Sequence, residues 1–393
     1  MNSMRIGIFG GSFNPPHNGH VYIAREVRRR FSLDRVLFMV AGDPPHKSIA
    51  FGVDAKERLE LTRAALAGEE GLIACDDEIR RGGVSYMADT LMGLYNGVDE
   101  LHLIVGADML KTLHQWRKPE TIFALAGIIA VGRPDNAGDY EAARELRRRY
   151  GARIRMANFC GPDISSTEIR RRVNMAKGIA KLVPYGVMER IYAGLLYQSE
   201  DILSYEKRLA EYTKPKRLAH SIGTMGYAVE LAAIWGADGK KARIAGLLHD
   251  CAKLGDEDAL RLAKEYGYTP NTQQRCAPGL LHGPLGAIRV QREFGIDDAD
   301  VINAIGCHVF GRMNMTKLDK ILYVADKAEF TRTYEGVDKL RDMAKKDLNG
   351  AVLMTMNNSI GHLLARGIEP TDESLMIRQA IKRETENNKG DIK

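Results

Sequence analysis

The sequence predicts an α/β domain with a parallel sheet and helices on both faces, followed by an all-α domain. The chain has 393 residues, which suits two domains of roughly 100–200 residues each. Up to about residue 195, strand-like apolar runs alternate with amphipathic helical patterns. After about residue 200 the strand-like runs stop and helical patterns alone follow.

The alternation in the first half predicts βαβ units and a parallel sheet, whose ligands bind beyond the carboxyl ends of the strands. The predicted strands are Met4–Phe9, Arg35–Val40, Leu101–Val105 and Ile128–Val131. The predicted helices between them are Val21–Phe31, Glu57–Ala67, Tyr86–Tyr95 and Tyr140–Tyr150.

The second half shows helical periodicity throughout. Since the change of pattern falls near Leu196–Leu203, we predict domains at residues 1–198 and 199–393. The helices predicted there are Ile202–Glu211, Ser221–Trp235, Lys240–Lys253, Glu257–Tyr266, Pro284–Phe294, Ala299–His308, Lys317–Lys327 and Leu348–Arg366.

Cysteine content, the length of apolar runs and net charge bear on the cellular compartment and on the partners of the protein. Five cysteines without a C-x-x-C pair argue against a disulfide framework, so we expect a cytoplasmic protein. The apolar run Phe123–Val131 is far shorter than the ~20 residues that span a bilayer, and we expect no membrane partner. The net charge of +6 fits phosphorylated small molecules. It is also the only hint of nucleic-acid binding, which no motif supports. The sequence also allows a homo-oligomer.

The first strand runs into Gly10-Gly11-Ser12-Phe13-Asn14-Pro15-Pro16-His17-Asn18-Gly19-His20, and a helix follows. Glycines at a strand end let the backbone approach a phosphate, and the helix N-terminus offers unpaired N–H groups. No Walker motif and no G-x-G-x-x-G is present. Two imidazoles three residues apart can donate to a triphosphate, although His17 and His20 can equally cap the turn.

A second helix start carries similar chemistry. In Ile164-Ser165-Ser166-Thr167-Glu168-Ile169-Arg170, the spacing Ser165-x-x-Glu168 is a capping box. The same turn brings hydroxyls, N–H groups and a guanidinium together, which favours an anion site.

These two segments resemble the H-x-G-H nucleotidylyltransferase superfamily, which has a Rossmann-like domain. The resemblance, which spans residues 4–196, is closest to bacterial nicotinate-mononucleotide adenylyltransferases. It rests on motifs in this order: Gly10–His20, Pro44-Pro45-His46-Lys47, Gly106-x-Asp108 with Leu113-x-x-Trp116, Gly132-Arg133-Pro134 and Ser165–Arg170.

The resemblance implies transfer of AMP from ATP, bound with Mg²⁺, to nicotinate mononucleotide, with release of pyrophosphate. Positioning and charge stabilisation would carry the catalysis. The catalytic residues implied are His17, His20, Lys47 and Arg170. The ATP site would comprise Gly10, Ser12, Phe13, His17, His20, Ser166, Thr167 and Arg170, and the mononucleotide site Tyr86, Thr90, Asp108 and Trp116.

One position departs from this family. Met87 follows Tyr86 where the family usually has a threonine, and methionine does not hydrogen-bond as threonine does. The preference for nicotinate over nicotinamide mononucleotide therefore stays open. A pantetheine-phosphate adenylyltransferase is a further alternative, but that family is shorter and lacks the Gly106–Trp116 pattern.

In the second half, His249-Asp250 lies inside the apolar run Ile244–Lys253. A buried His-Asp pair is costly unless a charge compensates it, and a metal ion would do so. Each of the other candidates alone is more often a core residue, but together they favour a metal site. A mixture of nitrogen and oxygen ligands suits Fe, Mn, Zn or Co. The further candidates are His220, His282, His308 and Asp326.

The order His…His-Asp…His…His…Asp resembles the HD superfamily. The surrounding residues are similar to bacterial HD hydrolases that split diadenosine tetraphosphate symmetrically into two ADP, from about Tyr205 to Ile381. The motifs are Leu247-Leu248-His249-Asp250-x-x-Lys253, Leu281-His282-Gly283-Pro284, Ala304-Ile305-x-x-His308-x-x-Gly311-Arg312 and Ala325-Asp326-Lys327.

This resemblance implies two transition-metal ions, with iron as the metal it suggests. One ion would be held by His220, His249, Asp250 and Asp326, and the second by His282 and His308 with Asp250 as the bridge. Asp250 and Lys253 are the implied catalytic residues, and Lys253 and Arg312 would bind the polyphosphate. Val309-Phe310 replaces the Thr-Thr that this family often has before Gly-Arg.

The sequence thus predicts a fusion of two nucleotide enzymes. The alternative keeps the adenylyltransferase and makes the HD half a regulatory domain or one that acts on another nucleotide. The retention of six ligand residues argues against an empty regulatory site.

Overall fold

The computed structural model describes residues 3–44, 49–132 and 137–390, without the side chains of 137 and 387–390. The chain divides into two compact units, residues 1–170 with 180–190 and residues 171–179 with 191–393. The division follows spatial packing, and the functional boundary predicted at residue 198 stays a prediction. None of the described helices is long and apolar enough to cross a membrane.

The first unit is built on a parallel sheet of six described strands in the order β3-β2-β1-β4-β5-β6. The predicted α/β class is therefore confirmed. The order reverses direction between β1 and β4, which forms a crevice at their carboxyl ends. The strands are β1 (Arg5–Gly11), β2 (Arg35–Val40), β3 (Leu72–Cys75), β4 (Glu100–Gly106), β5 (Ala126–Val131) and β6 (Ile154–Met156).

Helices connect these strands. The segments that follow the strands contribute side chains to the walls of the crevice. Three short 3-10 turns, Ala50–Gly52, Ala107–Lys111 and Leu113–Gln115, supplement them. The helices of this part are α1 (Asn18–Arg30), α2 (Ala55–Ala65), α3 (Asp77–Arg81), α4 (Met87–Leu94), α5 (Pro119–Leu125), α6 (Ala137–Tyr150), α7 (Ser166–Asn174) and α8 (Tyr185–Ala193).

The second unit is helical in its described residues, as predicted. The long helix α10 (Pro215–Trp235), which carries His220, packs against α11 (Gly239–Leu248) and α16 (Lys317–Ala328). Helix α11 ends directly before His249 and Asp250, and α16 carries Asp326. Gly246 makes the contact of α10 with α11 possible, since a Cβ there would lie 2.7 Å from the Met225 Cα. The helices are α9 (Glu200–Tyr212), α10 (Pro215–Trp235), α11 (Gly239–Leu248), α12 (Asp256–Tyr266), α13 (Thr272–Cys276), α14 (His282–Phe294), α15 (Ala299–Cys307), α16 (Lys317–Ala328), α17 (Val337–Lys346), α18 (Leu348–Ala365) and α19 (Asp372–Gly390), with a 3-10 turn at Pro278–Leu281.

Candidate functional sites

A pocket of about 220 Å³ lies at the crevice of the first unit. Its floor is formed by Phe9–Gly11 at the end of β1 and Leu103–Gly106 at the end of β4. Tyr86 and Trp116 add aromatic surface to the walls. The pocket thus has the position of a ligand site in a sheet of this topology and the lining of a site for a flat ring.

Two further wall residues give the pocket its character. The thioether of Met87 lies against Gly10, where a Cβ would come within 2.7 Å of its Cε. The Arg117 guanidinium stacks over the Tyr86 ring at 4.4 Å. A flat aromatic ligand would therefore meet an apolar floor and a cation on the wall.

Beside this pocket, His17 and His20 stack on each other with their ring centroids 3.7 Å apart. The backbone N–H of His17 donates to Nδ1 of His20 over 3.2 Å. A neutral His20 consequently carries its proton on Nε2, where it can donate to a ligand. Gly19 leaves the space that the His17 ring needs, since a Cβ there would lie 3.0 Å from its Nδ1.

Both rings are held in the neutral form. Burial lowers the pKa of His17 to about 4, and burial together with the nearby His17 lowers the pKa of His20 to about 3. Neither ring is therefore a cation at pH 7, and each acts through its hydrogen bonds. Nδ1 of His17 is buried and makes no hydrogen bond within 3.5 Å to a described residue.

The N-terminus of α7 is tied to the segment before His17. Ser166 Oγ donates to the Pro15 carbonyl over 2.7 Å, and Arg170 Nη1 donates to the Asn14 carbonyl over 2.6 Å. Thr167 Oγ1 accepts from Arg170 Nη2 over 3.2 Å. The two anion-binding segments that the sequence predicts are thus brought side by side.

In the second unit, the six predicted metal ligands come together. The Nε2 atoms of His249, His282 and His308 lie 3.5–3.7 Å from Oδ1 of Asp250, at or beyond hydrogen-bond length. His249 Nε2 is also 3.6 Å from Asp326 Oδ1. The ligand atoms fall into three overlapping groups, namely His220 with His249 and Asp250, His249 with His308 and Asp326, and Asp250 with His282 and His308.

The other ring nitrogens fix which atom faces the cluster. Nδ1 of each of three histidines lies 2.5–2.9 Å from the carbonyl oxygen three residues earlier, at Gly246, Gly279 and Ile305. Because a carbonyl only accepts, these Nδ1 atoms carry the proton and Nε2 keeps its lone pair. The histidines are His249, His282 and His308.

The charges of the cluster suit a cation. Burial lowers the pKa of His282 to about 3, and burial also lowers that of His308. Burial opposes ionisation of Asp250, yet His249, His308 and Lys253 hold its pKa well below the usual range. The neutral imidazoles of His282 and His308 beside the ionised Asp250 are typical ligands for a divalent transition metal.

Unpaired buried atoms test whether these residues fit a metal. Nε2 of His249, Nε2 of His308 and Oδ1 of Asp250 are buried and have no hydrogen-bond partner among the described residues. Leaving such atoms without a partner is costly. All three belong to the overlapping ligand groups, so the residues present fit the metal site that the sequence predicts.

Comparisons with known proteins find a different family in each half of the chain. Residues 8–172 match the family described as Cytidylyltransferase-like, and residues 217–331 match the HD domain. A "Probable nicotinate-nucleotide adenylyltransferase" of Desulfatibacillum aliphaticivorans is 37% identical over 215 residues, which are 49% of this chain and 100% of that protein. A "Bis(5'-nucleosyl)-tetraphosphatase, symmetrical" of Halalkalibacterium halodurans is 41% identical over 150 residues, which are 38% of this chain and 80% of that protein.

The chain belongs to the nicotinate-nucleotide adenylyltransferase family by its N-terminal half and to the HD family by its C-terminal half. A solved structure of a Clostridium acetobutylicum protein, described as a "predicted HD superfamily hydrolase involved in NAD metabolism", is also similar. The two chains are 40% identical, and the TM-score is 0.45. The match covers 46% of this chain and 96% of the other chain.

In the adenylyltransferase half, the predicted mononucleotide residues occupy different places. Tyr86 and Trp116 line the pocket. Thr90 is buried behind it, and its hydroxyl donates to Glu78 over 2.5 Å. Asp108 is exposed, and its carboxylate lies over Gly106, where a Cβ would come within 2.5 Å. The direct contacts predicted for Thr90 and Asp108 stay predictions.

The predicted ATP residues at the strand end also differ in their surroundings. Gly10 lines the pocket, whereas Phe13 is buried and packs edge-on against His20 at 5.2 Å. The Ser12 carbonyl accepts from the buried Arg58 over 2.8 Å. Lys47 lies outside the described residues, as does His46. The ATP contacts of this segment stay predictions.

In the HD half, a basic cleft of about 630 Å³ adjoins the cluster and includes Lys253. The Lys253 ammonium is 3.4 Å from Asp250 Oδ2. Arg312 does not line this cleft; its guanidinium binds Asp319 Oδ2 at 2.7–2.8 Å. A polyphosphate contact of Arg312 therefore stays a prediction.

Residues that the sequence analysis missed surround the cluster. Arg217 Nη1 donates to Asp250 Oδ2 over 2.6 Å. Glu329 is buried, and its Oε1 lies 3.0 Å from His220 Nδ1. Arg217 lies three residues before His220 on α10, and Glu329 lies three residues after Asp326, just beyond the end of α16. The sequence signal that could have identified them is this helical spacing from a predicted ligand.

Proposed function

We propose that the chain is a bifunctional enzyme. Its N-terminal half would transfer AMP from Mg²⁺-bound ATP to nicotinate mononucleotide, and its HD half would hydrolyse diadenosine tetraphosphate symmetrically to two ADP. The observation that carries the proposal is that each half has its own site of different chemistry. One site is a ring-binding pocket beside neutral histidine donors, and the other is a carboxylate-centred cluster of histidine nitrogens.

For adenylyl transfer, a phosphate oxygen of the mononucleotide attacks the α-phosphorus of ATP, and the bond from that phosphorus to the leaving pyrophosphate breaks. Negative charge grows on the phosphate oxygens during this step. The Nε2–H of His20 and the guanidinium of Arg170 would donate to them. The pocket, whose lining includes Tyr86 and Trp116, would orient the pyridine ring of the attacking mononucleotide.

For hydrolysis, the six clustered residues would hold two divalent transition-metal ions. When bound, such ions activate water and neutralise phosphate charge. The identity of the metal stays a prediction, with iron implied by the family resemblance. Lys253, Arg217 and Arg332 line the adjoining cleft and would bind the polyphosphate oxygens.

The nucleotide products test the hydrolase assignment. Symmetrical cleavage breaks the central phosphoanhydride, so diadenosine tetraphosphate should give ADP as its only nucleotide product. Chromatography of the reaction of the metal-loaded chain decides this. Formation of ATP and AMP would show asymmetric cleavage, and an unchanged substrate would favour a regulatory HD domain.

We also propose that the N-terminal half prefers the acid form of its mononucleotide, because the Arg117 cation lines the ring pocket. We expect Arg117→Gln to lower kcat/KM for nicotinate mononucleotide by about 10-fold or more, in the range of a lost ionic hydrogen bond, and to leave the nicotinamide form nearly unchanged. Lys118→Gln is the matched control, since Lys118 is the next residue and does not line the pocket. Equal values for the two substrates in the parent chain would contradict the preference.

A cytoplasmic location and the absence of nucleic-acid and membrane partners remain expectations that accompany this proposal. The oligomeric state remains open.

A further inference from the structure

A second and larger cavity, of about 880 Å³, lies within the C-terminal unit. Its lining comes mainly from α18 and the segment that leads into α19, with further residues from α13 and the turn after it, the segment after α15, α16, the loop at 332–334 and α17. Much of that lining is apolar or aromatic, for example Phe310, Tyr323, Met356 and Leu363. The metal cluster does not account for this cavity, because none of the six ligand residues lines it.

The cavity nevertheless reaches the cluster. Lys327 lines it, and the Lys327 ammonium lies 2.7 Å from Oδ2 of Asp326. Arg332 and Tyr334 line both this cavity and the basic cleft. Arg332 Nη2 is also 3.3 Å from Nε2 of His220. An occupant of the cavity would therefore extend past two cations to the metal ligands.

The lining defines the kind of molecule that fits. Apolar and aromatic walls favour an uncharged ring system, and the two cations where the cavity meets the cluster favour an anionic group attached to that ring. Asn358, His362 and Glu369 also line the cavity and supply hydrogen-bonding groups for the edge of a base. The volume lies within the range of about 300–1,000 Å³ that is usual for small-molecule sites.

Part of the lining lies beyond the residues that match the HD domain. The match to the HD domain ends at residue 331, whereas Thr355–Leu363 and Ile368–Ser374 lie beyond it. Helix α18 packs against both α16 and α19. Met356 and Leu363, which would contact the ring, therefore lie beyond the segment that carries the metal ligands, whereas Phe310 lies within it.

From these observations we infer that the cavity between α16 and the α18–α19 pair is the nucleoside subsite of the HD half. A nucleoside lies against Phe310, Met356 and Leu363, and its 5′-phosphates pass Lys327 and Arg332 to the cluster. The inference rests on the proposed hydrolase function, and it adds the position and chemistry of substrate selection.

Filling the cavity tests the subsite by kinetics. In the metal-loaded full chain, Leu363→Trp should raise KM for diadenosine tetraphosphate and Ki for ADP, as a competitor of that hydrolysis, by about 10-fold or more. Ki for pyrophosphate, which has no nucleoside, should change less than about twofold, because its site is the cluster and the cleft. Leu364→Trp is the control, since the adjacent Leu364 is exposed and does not line the cavity. Equal effects of the two variants, or equal effects on ADP and pyrophosphate, would overturn the inference.

Photolabelling tests it without relying on hydrolysis. The metal-loaded chain is irradiated with 8-azido-ADP, and the labelled peptides are mapped by mass spectrometry. We expect a label within residues 355–374 that excess ADP suppresses and excess pyrophosphate suppresses less. A label there in a chain that fails to cleave diadenosine tetraphosphate would remove the proposed reaction and keep the subsite. Cleavage to ADP with labels only elsewhere in the HD half would remove the subsite and keep the reaction.

Discussion

Replacing Asp250 by alanine should abolish hydrolysis of diadenosine tetraphosphate and leave adenylyl transfer at the parent rate. Oδ1 of Asp250 is the atom on which Nε2 of His249, His282 and His308 converge, so its loss removes the ligand shared by two of the three ligand groups. Loss of a group that only orients a metal ligand costs about 10–100-fold in affinity or activity, and we expect more for a shared ligand. The metal content should fall together with the rate.

The same substitution should lower the thermal stability of the HD half in the presence of metal, because bound metal stabilises the folded state. Asp250→Asn keeps the shape of the side chain, so it separates loss of the ligand from loss of packing; it should fail in metal binding and hydrolysis as well. Asp258→Ala is the control, since Asp258 is an exposed carboxylate that pairs with Arg261. An Asp250→Ala chain that retains two metals and the parent rate of ADP formation would contradict the HD assignment.

His20→Ala is expected to lower adenylyl transfer by about 10²–10⁴-fold, in the range reported for a lost donor to transition-state charge. Since its pKa is lowered to about 3, His20 is neutral at pH 7, and the backbone bond to Nδ1 leaves Nε2–H as its free donor. The expected loss is therefore in kcat more than in KM. Pyrophosphate release measures it.

His20→Asn retains an N–H donor and should give an intermediate rate. His114→Ala is the matched control, because His114 is an exposed histidine that does not line the ring pocket. Hydrolysis of diadenosine tetraphosphate should be unchanged in all three variants. Near-parent pyrophosphate release by His20→Ala would remove the catalytic role of the H-x-G-H segment.

The strands that are buried on both faces could be predicted from the sequence, whereas the two edge strands of the sheet could not. β1, β2, β4 and β5 contain continuous apolar runs and were predicted within a few residues of their observed ends. β3 and β6 are the two edge strands, with four and three residues that are largely only partly buried or exposed. Such short, half-exposed strands lack the apolar run that identified the others.

The metal ligands were predictable because their chemistry is visible in the residue type. A histidine or an aspartate inside an apolar helix demands a partner wherever the helix packs. Arg217, Glu329 and Arg332 are ordinary charged residues in sequence, and their contacts with the ligands come only from the packing of α10 against α11 and α16. The nucleoside cavity was missed for the same reason, since its lining residues are spread over about a hundred positions, from Gln273 to Ser374.

We propose that one chain carries two independent nucleotide sites of different chemistry. The most direct measurement is a product analysis of the purified chain with ATP, nicotinate mononucleotide and diadenosine tetraphosphate, before and after treatment with a chelator followed by restoration of Mg²⁺ alone. We predict nicotinate adenine dinucleotide in both samples, and ADP from diadenosine tetraphosphate only before treatment. ADP formation that survives removal of the transition metals, or no dinucleotide in either sample, would contradict the account.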